Sequence, residues 1–232
     1  MNQLLPQHVA FIVDGNRRWA TLHKRSAITG HSKVANQTID DLVFHCLKLG
    51  IPYVTFWAFS TENWKRGRRF CNSLFKLLEQ VLQKNVDKYN QAGIRLNTIG
   101  DLSQLPPKLV TSIEKLKYDS RNNTKLVVTI ALNYGGRDEI VRAIKKLVQD
   151  KSRPEIAKLT EADFNTYLDT IDLPDPDLII RTGGAQRLSG YLLWQSQYAE
   201  FYFTDVLMPD FDTKEFDKAL ADFAKRQRRF GA

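Results

Sequence analysis

The amino-acid sequence predicts an α/β fold, a single domain in which helices flank a central, mostly parallel sheet. Six apolar runs of strand length alternate with helical patterns along the chain. No linker rich in Pro, Gly or Ser, no internal repeat and no low-complexity tract divides the 232 residues. The first run, residues 9–13, is apolar throughout, as is typical of a strand covered on both faces in a parallel sheet. We therefore predict one domain over residues 1–232.

Each predicted element has its own sequence signal. The predicted strands are apolar runs that cover residues 8–13, 53–59, 94–99, 126–132, 177–181 and 200–204. The predicted helices lie between and after them, at residues 31–49, 71–92, 107–120, 136–150, 160–168 and 213–227. Gly50 and Gly93 follow two of these helices, where glycine commonly ends a helix, and the proline pair at 106–107 can begin another. Thr160 followed by Asp163 resembles a capping box, with Asp in the place of the preferred Glu.

The end of the first predicted strand carries charged residues. Residues 8–19 read HVAFIVDGNRRW, so the apolar run stops at Asp14. Gly15 permits a positive φ, and Asn16 is suited to cap a helix that continues through residues 17–23. Amide groups at a helix N-terminus, two guanidiniums and a carboxylate together suit a diphosphate with a divalent cation. An ordinary strand, turn and helix with solvated arginines is the alternative.

Two further strands also end in polar residues. Residues 55–66 read TFWAFSTENWKR, and residues 178–189 read LIIRTGGAQRLS. In an open parallel sheet, the carboxyl ends of the strands line a common crevice in which ligands bind. The candidate residues of this crevice are Ser60, Thr61, Glu62, Asn63, Trp64 and Arg66 after one strand, and Arg181, Arg187 and Ser189 after the other.

The chain is basic. Its formal charge of +8 reflects 34 Lys and Arg against 26 Asp and Glu, with clusters at residues 65–69 and 225–229. A solvated surface is the commonest explanation of such clusters. They could also neutralise the phosphates of a nucleic acid, or hold two diphosphates and dock on an anionic membrane. The sequence has no RNA-recognition, zinc-finger or P-loop pattern, so nucleic-acid binding is the weaker alternative.

The sequence also indicates where the protein is located and which metal ions it is expected to bind. No uncharged apolar run reaches the roughly 18 residues that a membrane-spanning helix needs. The run at residues 8–13 is too short for a secretory signal, so we expect a cytoplasmic protein. Cys46 and Cys71 lack CxxC or Cys/His spacing, and the four histidines lack an HExxH arrangement, so zinc is not expected. The strand-end residues imply an oxygen-ligated cation such as Mg²⁺.

Several blocks of sequence together resemble one known family. They are HVAFIVDGNRRWA (8–20), GH (30–31), FSTENWKR (59–66), NYGGR (133–137), the long block from RTGG to PDF (181–211), and RRFG (228–231). They occur in the order typical of the cis-prenyltransferases, the family that contains undecaprenyl diphosphate synthase. The DDxxD pattern of the all-helical trans-prenyltransferases is absent. The resemblance covers essentially the whole chain.

The resemblance implies roles for individual residues. Asp14 would act in catalysis and govern the Mg²⁺ and the diphosphate, the amides from Gly15 to Arg18 would cradle the allylic diphosphate, and His31 would assist. Glu200 would be a second Mg²⁺ ligand, contributed across a dimer. Asn63 matches the residue implicated in proton removal, where we expect it to position a phosphate oxygen or water as the acceptor. The implied substrate-binding set is Gly15, Asn16, Arg17, Arg18, Trp19, His31, Ser60, Thr61, Glu62, Trp64, Arg66, Arg181, Arg187, Leu188 and Ser189, of which Arg181, Arg187 and Ser189 would hold isopentenyl diphosphate.

The resemblance also implies an apolar tunnel inside the protein that holds the growing chain. Periodicity alone makes Phe56, Phe59, Leu74, Leu77, Leu78 and Val81 core residues, whereas the resemblance places some of them in the tunnel wall. The sequence departs from the family at three places. Ala27 stands where a phosphate-binding arginine is usual, Gly67 and Phe70 replace a proline and a glutamate, and Ala185 replaces a common glutamate.

The expected function is therefore Mg²⁺-dependent cis-prenyl elongation. We expect isopentenyl diphosphate to be added to farnesyl diphosphate to give undecaprenyl diphosphate, by a homodimer with a peripheral contact at the membrane surface. A synthase of shorter products, a non-catalytic subunit of the same fold and a basic nucleic-acid-binding module are the alternatives.

Overall fold

The computed structural model describes residues 4–226 of the chain and confirms the predicted α/β fold class. The strands are β1 (His8–Ile12), β2 (Tyr53–Ser60), β3 (Ile94–Ile99), β4 (Leu126–Tyr134), β5 (Leu178–Arg181) and β6 (Glu200–Phe203). All of them are parallel in one sheet, in the spatial order β3-β4-β2-β1-β5-β6. The sequence block RRFG at 228–231 lies outside the described residues.

Helices fill the connections between the strands. They are α1 (Asn16–Leu22), α2 (Ala27–Lys33), α3 (Ile39–Leu49), α4 (Arg68–Gln91), α5 (Pro107–Ser120), α6 (Gly136–Asp150), α7 (Arg153–Ile156), α8 (Glu161–Asn165) and α9 (Thr213–Phe223). A π-helical segment, Val34–Thr38, joins α2 to α3. Short 3₁₀ segments cover Thr61–Arg66, Leu102–Gln104 and Met208–Asp210.

The predicted elements agree with the structure except at some helix ends. Each strand is found within two residues of its predicted ends. The predicted helix at 31–49 begins earlier, after the extended residue Ser26, and contains the π-helical segment. The prediction for 160–168 was too long, because α8 ends at Asn165 and the Thr166 hydroxyl donates to the Asp163 carbonyl in a local turn. The capping box of Thr160 and Asp163 is present.

Other helix ends also differ from the predictions, and α4 begins at Arg68, three residues before the predicted start. Gly15, not Asn16, is the N-cap of α1, so the helix begins one residue earlier than expected. The last helix, α9, ends at Phe223, before the predicted end at residue 227, which lies outside the described residues.

The central strand β1 is buried on both faces. Phe11 stacks on Phe56 at 5.0 Å and meets Phe216 of α9 edge-on at 5.5 Å. On the other face, Ile12 packs in a cluster with Tyr191. The continuous apolar run is therefore covered as expected, and its carboxyl end is held rigidly within the sheet.

Two further findings concern the rest of the described chain. Among residues 4–226, none of the helices has both the length and the apolar character needed to cross a membrane. Cys46 and Cys71 are both buried free thiols. Burial raises the pKa of each thiol, so neither is a reactive thiolate.

Candidate active site

The carboxyl ends of three strands surround a crevice of about 830 Å³. Ile12 of β1 lies opposite Trp57 of β2 and Arg181 of β5, so the residues after these strands reach one edge of the sheet. The three polar strand ends thus line a common crevice, as the sequence predicts. Its wall consists of Ile12, Val13, Asp14, Gly15, Asn16, Arg17, Arg18, Thr21, Leu22, His31, Trp57, Ala58, Ser60, Glu62, Asn63, Arg66, Leu74, Arg181, Arg187 and Ser189.

The turn between β1 and α1 requires a glycine. Gly15 has a φ of +101°, and a Cβ there would lie 3.1 Å from the Cα of Leu207. Its amide donates to Asp14 Oδ1 at 2.7 Å. The Gly15 N–H is thus directed at Asp14, and the predicted contact of this amide with a phosphate stays a prediction. The amides at 16–18 open α1, where they have no acceptor within the helix.

Asp14 is held at the strand end by neighbouring donors. Its Oδ2 accepts a hydrogen bond from Arg181 Nη2 at 2.9 Å, and its Oδ1 lies 3.6 Å from Arg18 Nη2. Thr182 fixes the backbone, because its Oγ1 accepts from the Asp14 amide at 3.0 Å and donates to the Asp14 carbonyl at 2.7 Å. The Asp14 side chain is still 36% exposed, so the carboxylate can face a ligand in the crevice.

Arg181 is almost fully buried beneath the crevice, with 5% of its surface exposed. Besides Asp14, its Nη1 donates to Ser189 Oγ at 2.7 Å and to the Arg187 carbonyl. Ser189 adopts a φ of +54°, which is unusual for a residue with a side chain. Arg181 Nε is buried and has no hydrogen-bond partner among the described residues. Arg181 thus bonds directly to Arg187 and Ser189, the other two residues predicted to bind isopentenyl diphosphate.

Arg17, His31 and Arg66 form a cationic group on one side of the crevice. This side is formed by α1, α2 and the Thr61–Arg66 segment. His31 Nδ1 hydrogen bonds with the Ala27 carbonyl at 3.0 Å. Burial lowers the pKa of His31, and the nearby charges of Arg66 and Arg17 lower that pKa further. Burial and the charge of Arg17 also lower the pKa of Arg66. Closely spaced like charges in a concave site favour the binding of an anion.

The segment after β2 contributes polar side chains. Ser60, Glu62 and Asn63 lie in the wall. Asn63 Oδ1 accepts from the Ser60 amide at 3.1 Å, and the two residues form a capping box at the start of the 3₁₀ segment. This bond orients the side chain of Asn63 toward the strand end and leaves its NH₂ group without a partner among the described residues.

Some predicted site residues lie outside the wall. Trp64 packs on Phe59 and Phe75, and its Nε1 donates to Asn133 Oδ1, so its packing is that of a core aromatic residue and its substrate contact stays a prediction. Trp19 stacks on His23 and donates to Asp210 at the surface. The remaining two are Thr61, which lies against Gly135, and Leu188, which packs on the cluster around Ile12.

Glu200 is not brought near Asp14 within one chain. It lies opposite Leu178, which lies opposite Val9, five residues before Asp14 and toward the other end of the sheet. Its Oε2 accepts from Arg226 Nη1 at 2.8 Å. The assignment of Glu200 as a second metal ligand across a dimer stays a prediction. Over residues 4–226, no three His, Cys, Asp or Glu side chains form a metal-binding group.

The sequence analysis missed several wall residues. Trp57 lines the crevice and stacks on Tyr191 at 4.8 Å, but strand periodicity made it only an apolar residue of β2. Leu22 lines the mouth and is 73% exposed. Thr182, which does not line the crevice but fixes the backbone of Asp14, was also missed, and its place in the RTGG block was the available signal.

A second, apolar cavity begins at the inner wall of the crevice. Ala58 lines both cavities, and Leu78 and Val81 of α4 line the apolar one, while the tunnel itself stays a prediction. Leu74 lines the crevice instead. Leu77, Phe56 and Phe59 are buried core residues that line neither. The apolar cavity has a volume of about 70 Å³, and its other walls come from α3, α5, β3 and β4.

Comparison with known proteins identifies a family that matches nearly the whole chain. A family profile described as "Putative undecaprenyl diphosphate synthase" matches residues 12–231. The isoprenyl transferase of Clostridium tetani is 45% identical over 98% of this chain and 89% of its own length, and that of Aquifex aeolicus is 42% identical over 100% and 98%.

Two solved structures have the same fold. Lavandulyl diphosphate synthase from Lavandula x intermedia, crystallised with dimethylallyl diphosphate, has a TM-score of 0.92 at 35% identity and covers 98% of this chain and 99% of its own. A probable undecaprenyl diphosphate synthase from Campylobacter jejuni has a TM-score of 0.81 at 36% identity, with both chains fully covered.

Proposed function

The chain belongs to the undecaprenyl diphosphate synthase family and is a prenyltransferase, and from this premise we propose that it makes undecaprenyl diphosphate. In the proposed reaction, isopentenyl diphosphate is condensed repeatedly, in cis, onto farnesyl diphosphate. Family membership argues against the nucleic-acid-binding and non-catalytic alternatives.

One observation carries the proposal: Ala58 separates a charged crevice from an apolar cavity. A prenyl diphosphate has a polyanionic head and a hydrocarbon tail. The cations of the crevice suit the head, and the residues of α4 and α5 around the second cavity suit the tail. The volume of about 70 Å³ is too small for a long chain, so elongation requires this cavity to widen as the product grows.

For the allylic diphosphate, we propose a subsite between α1 and the cationic group. The amides at 16–18, together with Arg17, His31 and Arg66, surround the part of the crevice next to Asp14. Each condensation breaks the allylic C–O bond and releases diphosphate with the bonding electrons. Fixed cations and N–H donors around that leaving group would stabilise the developing charge.

For isopentenyl diphosphate, we propose the subsite formed by Arg181, Arg187 and Ser189. Arg187 and Ser189 lie in the wall, held by their bonds to Arg181. The double bond attacks the allylic carbon, and one proton must then leave. The free NH₂ group of Asn63 would donate a hydrogen bond that orients a phosphate oxygen or a water molecule as the proton acceptor.

The donor set fits a magnesium ion held mainly by substrate. Asp14 offers an exposed carboxylate, and Mg²⁺ typically uses one or two carboxylates together with phosphate oxygens and water. When bound, the ion would neutralise charge on the diphosphate leaving group. Glu200 could join only from the partner copy, given its position in β6.

A shorter product is the second candidate. The lavandulyl diphosphate synthase that superimposes on this chain was crystallised with dimethylallyl diphosphate, a five-carbon allylic diphosphate. The small apolar cavity also favours this alternative. The length of the extracted product distinguishes the two candidates.

We further propose a homodimer. Val141, Ile144 and Val148 lie on one face of α6 and are 50%, 48% and 58% exposed. Such a stripe is typical of a helix that packs against another molecule. Ile144→Asp should shift the protein from dimer to monomer in sedimentation equilibrium, whereas Lys146→Asp, at an exposed position on a different side of the same helix, should leave the dimer intact.

A peripheral membrane contact completes the proposal, with the protein in the cytoplasm. Leu22 is exposed at the mouth of the crevice, and the nearby surface carries Lys24, Arg25, Lys65 and Arg68. Exposed cations beside an apolar side chain favour anionic phospholipid surfaces. Co-sedimentation with anionic vesicles, and less with neutral ones, is the expected result.

The first experiment combines purified protein, farnesyl diphosphate, labelled isopentenyl diphosphate and Mg²⁺, with mass analysis of the extracted lipids. A ladder that ends in a defined polyprenyl diphosphate, and is absent with Asp14→Asn, supports the proposed reaction. A single short product would favour the second candidate. The absence of any product from the wild type with farnesyl or dimethylallyl diphosphate would overturn the proposed function.

A further inference from the structure

Phe70 lies directly behind two residues of the crevice wall. It is the third residue of α4, is half-buried, and does not itself line the crevice. Its ring meets that of His31 edge-to-face, with centroids 5.3 Å apart and planes at 73°. The guanidinium carbon of Arg66 lies 5.5 Å from the ring centroid. One aromatic side chain therefore contacts two wall residues that come from different elements.

The contact between Phe70 and Arg66 affects where the charge of Arg66 is held. Within residues 4–226, Arg66 forms no ion pair; the like charge of Arg17 acts on both Arg66 and His31, and the opposite charge of Asp14 acts on Arg66 without direct contact. A flexible guanidinium in such a field gains by extending away into water. The face of an aromatic ring attracts a guanidinium without cancelling its charge, whereas a carboxylate at position 70 would pair with it. Phe70 can thus retain Arg66 and leave its charge available to a ligand.

The same ring restricts His31. The Nδ1 atom of His31 hydrogen bonds with the Ala27 carbonyl at 3.0 Å. The edge-to-face contact with Phe70 limits rotation of the imidazole ring away from this position. Nε2 is left without a partner in the described part of the chain. The imidazole is therefore held with one nitrogen free at the wall of the crevice.

We propose that Phe70 is a positioning residue of the diphosphate site, which holds Arg66 and His31 against the crevice without forming an ion pair with either. The inference rests on the proposed function, since it takes a diphosphate as the ligand of the crevice. Phe70 contacts no substrate in this account and acts only through its two neighbours.

The test measures the affinity for inorganic diphosphate by calorimetry and the KM and kcat for farnesyl diphosphate. We expect Phe70→Leu to weaken diphosphate binding by about three- to tenfold, the loss typical of a cation–π contact at a partly exposed site. KM should rise by a similar factor, with a smaller change in kcat. Phe70→Tyr, which keeps the ring, should bind like the wild type. In an Arg66→Ala background, Phe70→Leu should have much less additional effect, because the contact is already gone.

Phe44→Leu is the matched control. Phe44 is also half-buried and also lies under a cation, with Lys88 Nζ 4.3 Å from its centroid, but it is far from the crevice on α3. Its substitution should leave diphosphate affinity unchanged. Wild-type-like affinity in a folded Phe70→Leu variant would overturn the positioning role, as would an equal loss in Phe44→Leu or in Phe70→Tyr. Failure of the wild type to bind diphosphate would instead overturn the proposed function on which the inference rests.

Discussion

Asp14 and Arg181 form an ion pair across the adjacent strands β1 and β5, with 2.9 Å between Oδ2 and Nη2. The pair is asymmetric, because Arg181 is 5% exposed whereas the Asp14 side chain is 36% exposed. The arginine belongs to the floor of the crevice, and the carboxylate faces its interior. The same contact therefore supports the fold and orients a group proposed to act in catalysis.

Substitution of Asp14 can separate these two roles. Asp14→Ala leaves the buried Arg181 without its carboxylate, so we expect both lost turnover and a stability decrease of about 1–3 kcal/mol, reduced from the fully buried case by solvent screening. Asp14→Asn keeps the shape and a hydrogen-bond acceptor, and should lose at least about 100-fold in kcat with a smaller change in stability. Turnover and urea unfolding of both variants provide the test. A fully active Asp14→Asn enzyme would contradict the proposed role.

Asn63 is predicted to act through the amide NH₂ that its capping bond leaves free. Asn63→Asp keeps an oxygen for the Ser60 amide but removes the NH₂ group, so kcat should fall by about tenfold or more while stability changes little. Ser60→Ala, the matched control, removes the other half of the capping box and should cost about 1 kcal/mol of stability with a smaller loss of kcat. Equal kinetic effects in the two variants would show that Asn63 is only a cap.

The sequence predicted the strand ends because their signals are local. An apolar run that stops at Asp14 or Arg181 is visible without any tertiary information, and so are the proline that begins α5 and the capping box of α8. Since β1, β2 and β5 are parallel, those ends meet at one edge whatever the details of packing.

The parts that were not predicted depend on tertiary contacts. Glu200 begins β6 as predicted and lies toward the opposite end of the sheet from Asp14, so its predicted role as a metal ligand depends on a second copy, which no local pattern describes. The sequence indicated that Gly15 can adopt a positive φ, but the lack of room for a side chain there comes from Leu207, far along the chain. The sequence block of Trp64 fits either a core residue or a ligand contact, and its bond to Asn133 is a tertiary contact that the block does not encode.

His8 should make the fold sensitive to acid. Burial lowers its pKa to about 4, and the neutral ring bonds to the Pro174 carbonyl through Nδ1 and to the Thr55 hydroxyl through Nε2. The unfolded state protonates the imidazole more readily than the folded state does. The contribution of His8 to the free energy of unfolding is therefore complete above about pH 6.5, and about 3 kcal/mol is lost as the pH falls toward 4. Urea unfolding as a function of pH should show this slope in the wild type and a reduced slope in His8→Gln. Identical slopes would contradict the prediction.

Diphosphate binding should take up a proton at His31. Burial, Arg66 and Arg17 keep the pKa of the free imidazole low, and a bound polyanion would favour the imidazolium. Binding should therefore tighten as the pH falls between about 8 and 5.5. His31→Gln supplies the control, because any pH dependence that remains belongs to the ligand and to other groups. Proton uptake of the same size in both proteins, measured by calorimetry in buffers of different ionisation enthalpy, would argue against the role of His31.

Ala58 is the residue through which product length can be tested. It lines both cavities, so a larger side chain there narrows the passage between the diphosphate crevice and the apolar cavity. We expect Ala58→Leu to cost about 1–3 kcal/mol of stability through overpacking and to shift the product ladder toward shorter chains. The first condensations should continue, because Asp14 and the cations of the crevice are not altered. Ala157→Leu adds the same atoms at an exposed position after α7 and should leave the ladder unchanged. An unchanged ladder in active Ala58→Leu would mean that the chain grows along a different path, since a tail that passed Ala58 could not avoid the added side chain.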